Sequence, residues 1–159
     1  MTIRRAAVLC NESCDQPPET DARMPGRAHH AARGVLEQVL ARHGLAFGQQ
    51  VTLRTLVAAG TPLTADDDVA RVRGSLKAAP VDIRATLDAL AARQSVLADD
   101  ALLRPADAGR ELLAAVGAET APLAARIWGG TPDEDPAGAG RVLAPATERA
   151  DAQLAELTA

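Results

Sequence analysis

The sequence almost lacks aromatic residues: Trp128 and Phe47 are the only two in 159 residues, and there is no tyrosine. A core must therefore be built from leucine, valine, isoleucine and alanine, and alanine and leucine are strong helix formers. The length fits one domain. We expect each aromatic side chain to fill space in that core, with anchoring of a separate cluster as the alternative.

Long apolar runs and an excess of positive charge are also missing. No stretch is long enough to cross a membrane, and the apolar stretch after Arg4-Arg5 is too short for a signal peptide, so we expect a cytoplasmic protein. The net charge is −4, and Lys77 is the only lysine. A nucleic-acid binder usually shows a basic balance, so any such surface here must be a local patch.

Cysteine is limited to Cys10 and Cys14, which would share one face if this part is helical. Three roles stay open: ordinary reduced thiols, a redox switch, or a metal site completed by His29, His30 or His43. The spacing C-x3-C with distant histidines is not a recognised zinc pattern, and we expect no metal and no cofactor. For His43 we favour a place at a helix C-terminus, where positive charge is stabilising.

The first sixty residues predict an arm followed by two helices. Residues 1–26 form the arm, and its second half mixes three prolines with charges, which indicates irregular structure. A helix is predicted for about residues 28–42, ending at Gly44. A second helix is predicted for residues 47–59, which the sequence Gly-Thr-Pro at 60–62 then breaks.

The central stretch predicts a helix-turn-helix. Thr64 and Asp67 have the spacing of a capping box, which opens a short helix with apolar positions up to Leu76. Pro80 suits the first turn of the next helix, because its missing N–H costs nothing there. That second helix, residues 81–93, has one apolar stripe formed by Ile83, Leu87 and Leu90. Many proteins insert such a unit into the DNA major groove.

The last third predicts a β-hairpin and two long helices. Residues 95–105 contain two short apolar runs around an acidic turn, which is typical of a hairpin and makes it a candidate wing. A helix over residues 106–128 should kink at Pro122, and a helix over 133–157 should bend at Pro145. These helices carry more apolar surface than a winged unit needs, which favours a dimer interface. The predicted division of a single domain, residues 27–159, is 46–105 for the winged helix-turn-helix, and 27–45 and 106–159 for dimerisation.

In four segments the sequence resembles the MarR family of winged-helix transcriptional regulators. Residues 44–56 look like the entry into the family's second helix, and Leu63-Thr64 looks like the start of its third. Residues 86–96 resemble the end of its recognition helix, and residues 106–113 resemble the return from its wing. Their order and spacing, more than any one motif, carry the resemblance over about residues 28–157.

The resemblance implies a mostly α fold with a small β-wing and a helical dimerisation region. It also implies a homodimer that places two recognition helices in successive major grooves of a palindromic operator in double-stranded DNA. Such proteins usually repress a promoter and release it when a small, often aromatic or phenolic, effector or an oxidant arrives. The expected function is therefore a ligand-responsive, DNA-binding transcriptional regulator, and the resemblance implies that it is a repressor.

The predicted DNA contacts centre on Arg84, which would touch a base edge. Lys77 and the arginines of the preceding helix would position the DNA backbone, and Arg104 would act from the wing. The alternative for each arginine is an exposed helix face with a nearby aspartate, and for Arg84 that partner would be Asp88. The full set of predicted contacts is Val81, Asp82, Arg84, Ala85, Arg71, Arg73, Lys77 and Arg104.

Several departures from the family pattern favour a second interpretation. The wing tip is Asp99-Asp100, Gln94 stands at the turn glycine, and Ala106 replaces a capping threonine, a loss of about 1 kcal/mol. Between residues 66 and 104 six basic and seven acidic side chains leave a charge of −1, so nonspecific affinity for DNA should be weak. The alternative is a MarR-like dimer with weakened or lost DNA binding that binds a small molecule or a protein partner.

Motifs of catalysis are absent from the sequence. It contains no glycine-rich phosphate loop, no G-x-S-x-G and no paired His, Cys and Asp arrangement with a recognised spacing. A winged helix also occurs as the dimerisation module of some methyltransferases, but 159 residues leave no room for a cofactor domain beside it. We therefore expect a protein that is not an enzyme.

Overall fold

The computed structural model describes residues 23–130, 132 and 134–157. Cys10 and Cys14 lie outside the described residues, so their predicted roles stay predictions. The described chain confirms a mostly α fold with a small β-sheet. Its elements are α1 (Met24–Arg42), α2 (Phe47–Ala59), β1 (Leu63–Thr64), α3 (Ala65–Leu76), α4 (Pro80–Ala92), β2 (Val96–Asp99), β3 (Leu102–Pro105), α5 (Asp107–Trp128) and α6 (Glu134–Leu157).

Helix α1 begins earlier than the sequence predicts, so residues 24–26 belong to it and not to an irregular arm. Pro25 lies in the first turn, where a missing N–H breaks no helical bond. The helix ends at Arg42, as predicted, and His43 is its C-cap, with the ring Nε2 2.8 Å from Glu119 Oε1 of α5. Arg42 donates to the same carboxylate over 3.1 Å, so this end of α1 is tied to α5.

Helix α2 has its predicted bounds and lies at the centre of the fold. The side chain of Gln49 accepts a hydrogen bond from the backbone N–H of Ala46 at 2.9 Å, which satisfies one free donor at the helix start. Gly60 ends the helix at a φ of 70°, in the left-handed region that glycine adopts without strain. Its residues Val51, Leu53 and Leu56 are buried, and the helix packs against α3, α4 and α5.

The predicted helix-turn-helix is present as α3 and α4. The hydroxyl of Thr64 accepts from the backbone N–H of Asp67 at 3.1 Å and donates to its carboxylate at 2.7 Å. Pro80 is in the first turn of α4, as expected. The predicted stripe of α4 is buried, and it packs α4 against α2 and α3; its residues are Ile83, Leu87 and Leu90.

The hairpin of β2 and β3 is confirmed, and a third strand, β1, was not predicted. The sheet is antiparallel with the order β1-β3-β2, and Leu63 of β1 lies opposite Leu103 of β3. Two residues are too few to show a strand period in the sequence. Cross-strand partners share a face, so the exposed face of the wing carries two mixed pairs: Leu97 with Arg104, and Asp99 with Leu102.

Helices α5 and α6 form the last third of the fold. Ala106 occupies the N-cap of α5 without a side-chain hydrogen bond, as the sequence indicates. Gly109 lies so close to Ser95 that an added Cβ would stand 2.2 Å from its carbonyl oxygen. The helices continue through Pro122 and Pro145, and the bends expected there stay predictions. Across the described residues, no helix has both the length and the hydropathy to cross a membrane.

Candidate nucleic-acid interface and ligand cavity

Helix α4 presents a continuous outward face. Val81 is 69 % exposed, and Arg84 and Ala85 lie with it on the side opposite the buried stripe. Asp82 in the first turn is also exposed. The face is therefore available to a partner, and its first two turns hold all four predicted contacts of this helix.

Arg84 is paired with an aspartate that the sequence did not indicate. Its Nη2 donates to Oδ1 of Asp66, at the start of α3, over 2.8 Å. The expected partner Asp88, one turn along α4, is not bonded to it, because the packing of α3 beside α4 brings Asp66 into reach. The side chains are 53 % and 82 % exposed, so the pair adds little to stability.

Lys77 also forms an ion pair with a distant residue, in the last helix. Its Nζ lies 2.8 Å from Oδ1 of Asp151 in α6, 74 residues away. Lys77 also ends α3 at a φ of 52°, in the left-handed region. This ion pair links the turn between α3 and α4 to the last helix, and no local pattern in the sequence could have shown it.

The other basic side chains of this region divide into two groups. Arg93 donates to the backbone carbonyls of His43 and Gly44, so it holds the end of α1. The three predicted phosphate contacts Arg71, Arg73 and Arg104 are exposed. Those three form no ion pair with another described residue, and they remain available to an anionic partner.

Asp68 is a buried acid beside this surface. The sequence suggests that it complements the helix start with Asp66 and Asp67, but its side chain is 0 % exposed. Neither carboxylate oxygen has a hydrogen-bond partner among the described residues. Burial raises the pKa of Asp68 from 3.8 to about 6, although the charge of Arg71 one turn away opposes the rise.

A cavity of about 250 Å³ lies where α1, α2 and α5 meet. Its wall is mainly apolar, and its polar groups include Gln50 and Arg54. The Oε1 atom of Gln50 is buried without a hydrogen-bond partner among the described residues. The remaining lining residues are Ala32, Val35, Leu36, Thr120, Leu123, Ala124, Ile127 and Trp128.

Neither aromatic residue lies fully in the core. Trp128 is 59 % exposed at the end of α5, so the expectation that it fills core space is wrong. The ring lines the cavity and is exposed among the described residues. Phe47 is half-buried against the core, with the Arg33 guanidinium 4.3 Å from its ring centroid.

The last two helices expose several large apolar side chains. No described residue of α6 is buried, although the helix has 24 residues. Its exposed apolar side chains include Val142 and Leu143, and Ile127 and Trp128 of α5 are also exposed. Within the segments that the structure describes, no group of three or more histidines, cysteines or acids is placed to hold a metal ion.

Comparison with known proteins identifies the fold. No family model matches the sequence, and no curated protein matches it. A MarR-family transcriptional regulator from Streptomyces coelicolor is similar in structure, with a TM-score of 0.65, 21 % identity, and coverage of 80 % of this chain and 91 % of that one. The chain therefore has the winged-helix fold of MarR-family regulators.

Two further solved structures of this fold contain bound molecules. A MarR-family protein from Mycobacterium tuberculosis, in complex with DNA, has a TM-score of 0.61 and 20 % identity, over 83 % of this chain and 98 % of that one. CouR from Rhodococcus jostii RHA1, bound to p-coumaroyl-CoA, has a TM-score of 0.65 and 18 % identity, over 78 % of this chain and 88 % of that one.

Proposed function

We propose that this protein is a ligand-responsive, DNA-binding transcriptional regulator that acts as a homodimer and represses a promoter. The observation that carries the proposal is the outward face of α4, which the helix-turn-helix presents with Val81, Arg84 and Ala85 exposed. The first turns of a recognition helix are the part that contacts base edges in the major groove. The proposal assigns no catalytic role to the chain.

The exposed residues divide by the contacts that they can make. Arg84 has the donors to bind O6 and N7 of guanine, and Val81 and Ala85 offer apolar contacts of the kind that bind a thymine methyl group. Arg71, Arg73 and Arg104 are free to bind phosphates, which supplies affinity without sequence preference.

A gel shift with the gene's own upstream DNA at low salt tests this function. We expect a complex that weakens steeply as salt rises, since each phosphate contact releases a counterion. Arg84→Ala should lose roughly 1–3 kcal/mol on the bound sequence and little on random DNA. Equal losses on both would make Arg84 a phosphate contact.

The acidic wing tip favours a second candidate function. Asp99 and Asp100 are exposed there, and Lys77 and Arg84 are both paired with acids of the same chain. These charges favour a dimer that binds a small molecule or a protein partner and has weakened or lost DNA binding. The absence of any complex with DNA at low salt would support this candidate and refute the first.

The homodimer is proposed from the uncovered helices. A helix in a protein gains most of its stability from packing an apolar face, and α6 has no buried side chain among the described residues. A second copy that covers α6 and the end of α5 would bury Trp128, Val142 and Leu143. The proposed operator is palindromic because a twofold dimer presents two equivalent α4 helices.

Sedimentation of the purified protein at micromolar concentration tests the dimer. We expect two chains per particle, and Val142→Glu should shift the population towards single chains. Val81→Glu is the matched control, because Val81 is equally exposed but lies on α4 and should leave the dimer intact. A wild-type protein that sediments as a single chain would contradict the proposal.

The cavity between α1, α2 and α5 is the proposed effector site. Its volume of about 250 Å³ suits a small molecule with one ring, and Gln50 and Arg54 offer polar groups to it. Trp128 lines the cavity and is the only tryptophan, so its fluorescence reports binding. We expect a phenol or an aromatic acid to quench the fluorescence of Trp128 and to release the protein from DNA. Arg54→Gln should weaken both effects. Quenching without release of DNA would show that the cavity binds the ligand but is not the effector site.

A further inference from the structure

The ion pair between Asp66 and Arg84 joins the two helices of the helix-turn-helix on the surface that faces DNA in the proposed function. Asp66 lies in the first turn of α3, and Arg84 lies in the second turn of α4. A single contact of 2.8 Å joins Oδ1 of Asp66 to Nη2 of Arg84. Both side chains are more than half exposed, so stability alone does not explain the pair.

We propose that Asp66 is a positioning residue, which holds the Arg84 guanidinium in the orientation needed for a bidentate contact with guanine. This inference rests on the proposed DNA binding and deepens it, because it names a residue that sets base specificity without touching a base. Asp66 acts through Arg84, which is the residue that reaches the base edge.

The donors of the guanidinium allow both contacts at once. Arginine has five N–H donors in a rigid plane, and Asp66 takes one of them through Nη2. Guanine offers two acceptors in the major groove, O6 and N7, and these need two donors. Arg84 makes no other hydrogen bond with a described residue, so enough donors remain for the base.

The ion pair restricts the conformations of the Arg84 side chain before DNA binds. An exposed arginine has several rotatable bonds, and the freedom that it loses on binding reduces the gain from each hydrogen bond. A guanidinium already held by Asp66 loses less of that freedom. The contact with guanine is therefore stronger relative to contacts with the other bases, which do not match the fixed fork.

The same carboxylate has an opposite effect on DNA in general. Asp66 is 82 % exposed, and its negative charge repels nearby phosphates whatever the sequence. Loss of this charge should therefore leave nonspecific affinity unchanged or increase it, while discrimination at the guanine falls. A purely repulsive or purely structural role would not move these two quantities in opposite directions.

The experiment begins with wild-type protein and a library of random-sequence DNA duplexes. Selection gives a bound sequence, and the affinities of wild type and Arg84→Ala are then measured for every single-base change in it. The position of interest is the one at which wild type prefers one base and Arg84→Ala does not. Affinities of Asp66→Asn for the selected sequence, for the changed base and for random DNA are then measured. We expect Asp66→Asn to lose roughly three- to tenfold of the discrimination at that position only.

Two controls separate positioning from charge. Asp88→Asn removes an equal charge one turn from Arg84 on α4, but Asp88 has no bond to the guanidinium, so the discrimination should be unchanged. In an Arg84→Ala background, Asp66→Asn should change nothing further at that base. Melting curves of all variants check that they are folded.

The inference is overturned if Asp66→Asn changes affinity for selected and random DNA by the same factor, or leaves discrimination within twofold of wild type. It is also overturned if the loss persists without Arg84. If the wild-type protein selects no sequence, the proposed DNA binding itself fails, and the inference fails with it.

Discussion

Asp68 leads to a prediction that can be tested without DNA or effector. Its carboxyl group is fully buried in α3, and both oxygens lack a hydrogen-bond partner among the described residues. Burial makes the charged form costly, which raises the pKa of Asp68 from 3.8 to about 6. The neutral variant Asp68→Asn should therefore be more stable than the wild-type protein near neutral pH.

The size of the effect follows from the two pKa values. One pKa unit corresponds to about 1.4 kcal/mol, so the difference between 3.8 and about 6 corresponds to about 3 kcal/mol. The folded state binds the proton of Asp68 more tightly than the unfolded state. The contribution of Asp68 to the free energy of unfolding is therefore fully present below pH 3.8 and is lost as the pH rises through about 6, above which the charged form carries the full penalty of burial.

Urea unfolding from about pH 4 to about pH 8 measures this dependence. Wild type and Asp68→Asn should be similar at the acid end, because the protonated acid and the amide are both neutral. At the neutral end Asp68→Asn should be more stable by up to about 3 kcal/mol. Protein concentration must be constant, because dimerisation would also add to stability.

Asp88→Asn is the matched control, since Asp88 is exposed on α4 and loses the same charge. Its difference from wild type should stay small and constant across the pH range. A constant difference for Asp68→Asn as well, or lower stability than wild type at neutral pH, would show that Asp68 is hydrated or paired in solution and would refute this reasoning.

Three further predictions concern backbone positions, and urea unfolding measures each of them. Gly109→Ala should destabilise by at least about 1–3 kcal/mol, because its Cβ would stand 2.2 Å from the carbonyl oxygen of Ser95; a neutral result would contradict this packing. Gln94→Gly should stabilise by about 0.5–1 kcal/mol, because Gln94 has a φ of 57°; a loss would show that its side chain makes a needed contact. Thr64→Ala should cost about 1 kcal/mol because Thr64 caps α3, and Ala106→Ser should gain a similar amount because the N-cap of α5 has no side-chain bond; a neutral Thr64→Ala or a destabilising Ala106→Ser would contradict this.

Local signals in the sequence were enough for most of the secondary structure. The capping box at Thr64, the apolar stripe of Ile83, Leu87 and Leu90, and the acidic turn at Asp99 each act over a few residues. The helix-turn-helix, the hairpin and the bounds of α2 were predicted for this reason. Helix α1 was predicted too short because Pro25 breaks a helix in its middle but is accepted in its first turn.

Tertiary structure alone decided which charges meet and which side chains are buried. Arg84 pairs with Asp66 and not with Asp88, and Lys77 pairs with Asp151, because helix packing brings together residues that are 18 and 74 positions apart. Packing also buries Asp68 within an acidic run that looks solvent-facing, and leaves Trp128 outside the core. The sequence by itself determined the helix-turn-helix, the hairpin and most helix bounds, since those signals are local, whereas β1 depends on its pairing with the distant strand β3. The character of the proposed DNA surface depended on contacts between distant segments, which no local pattern records.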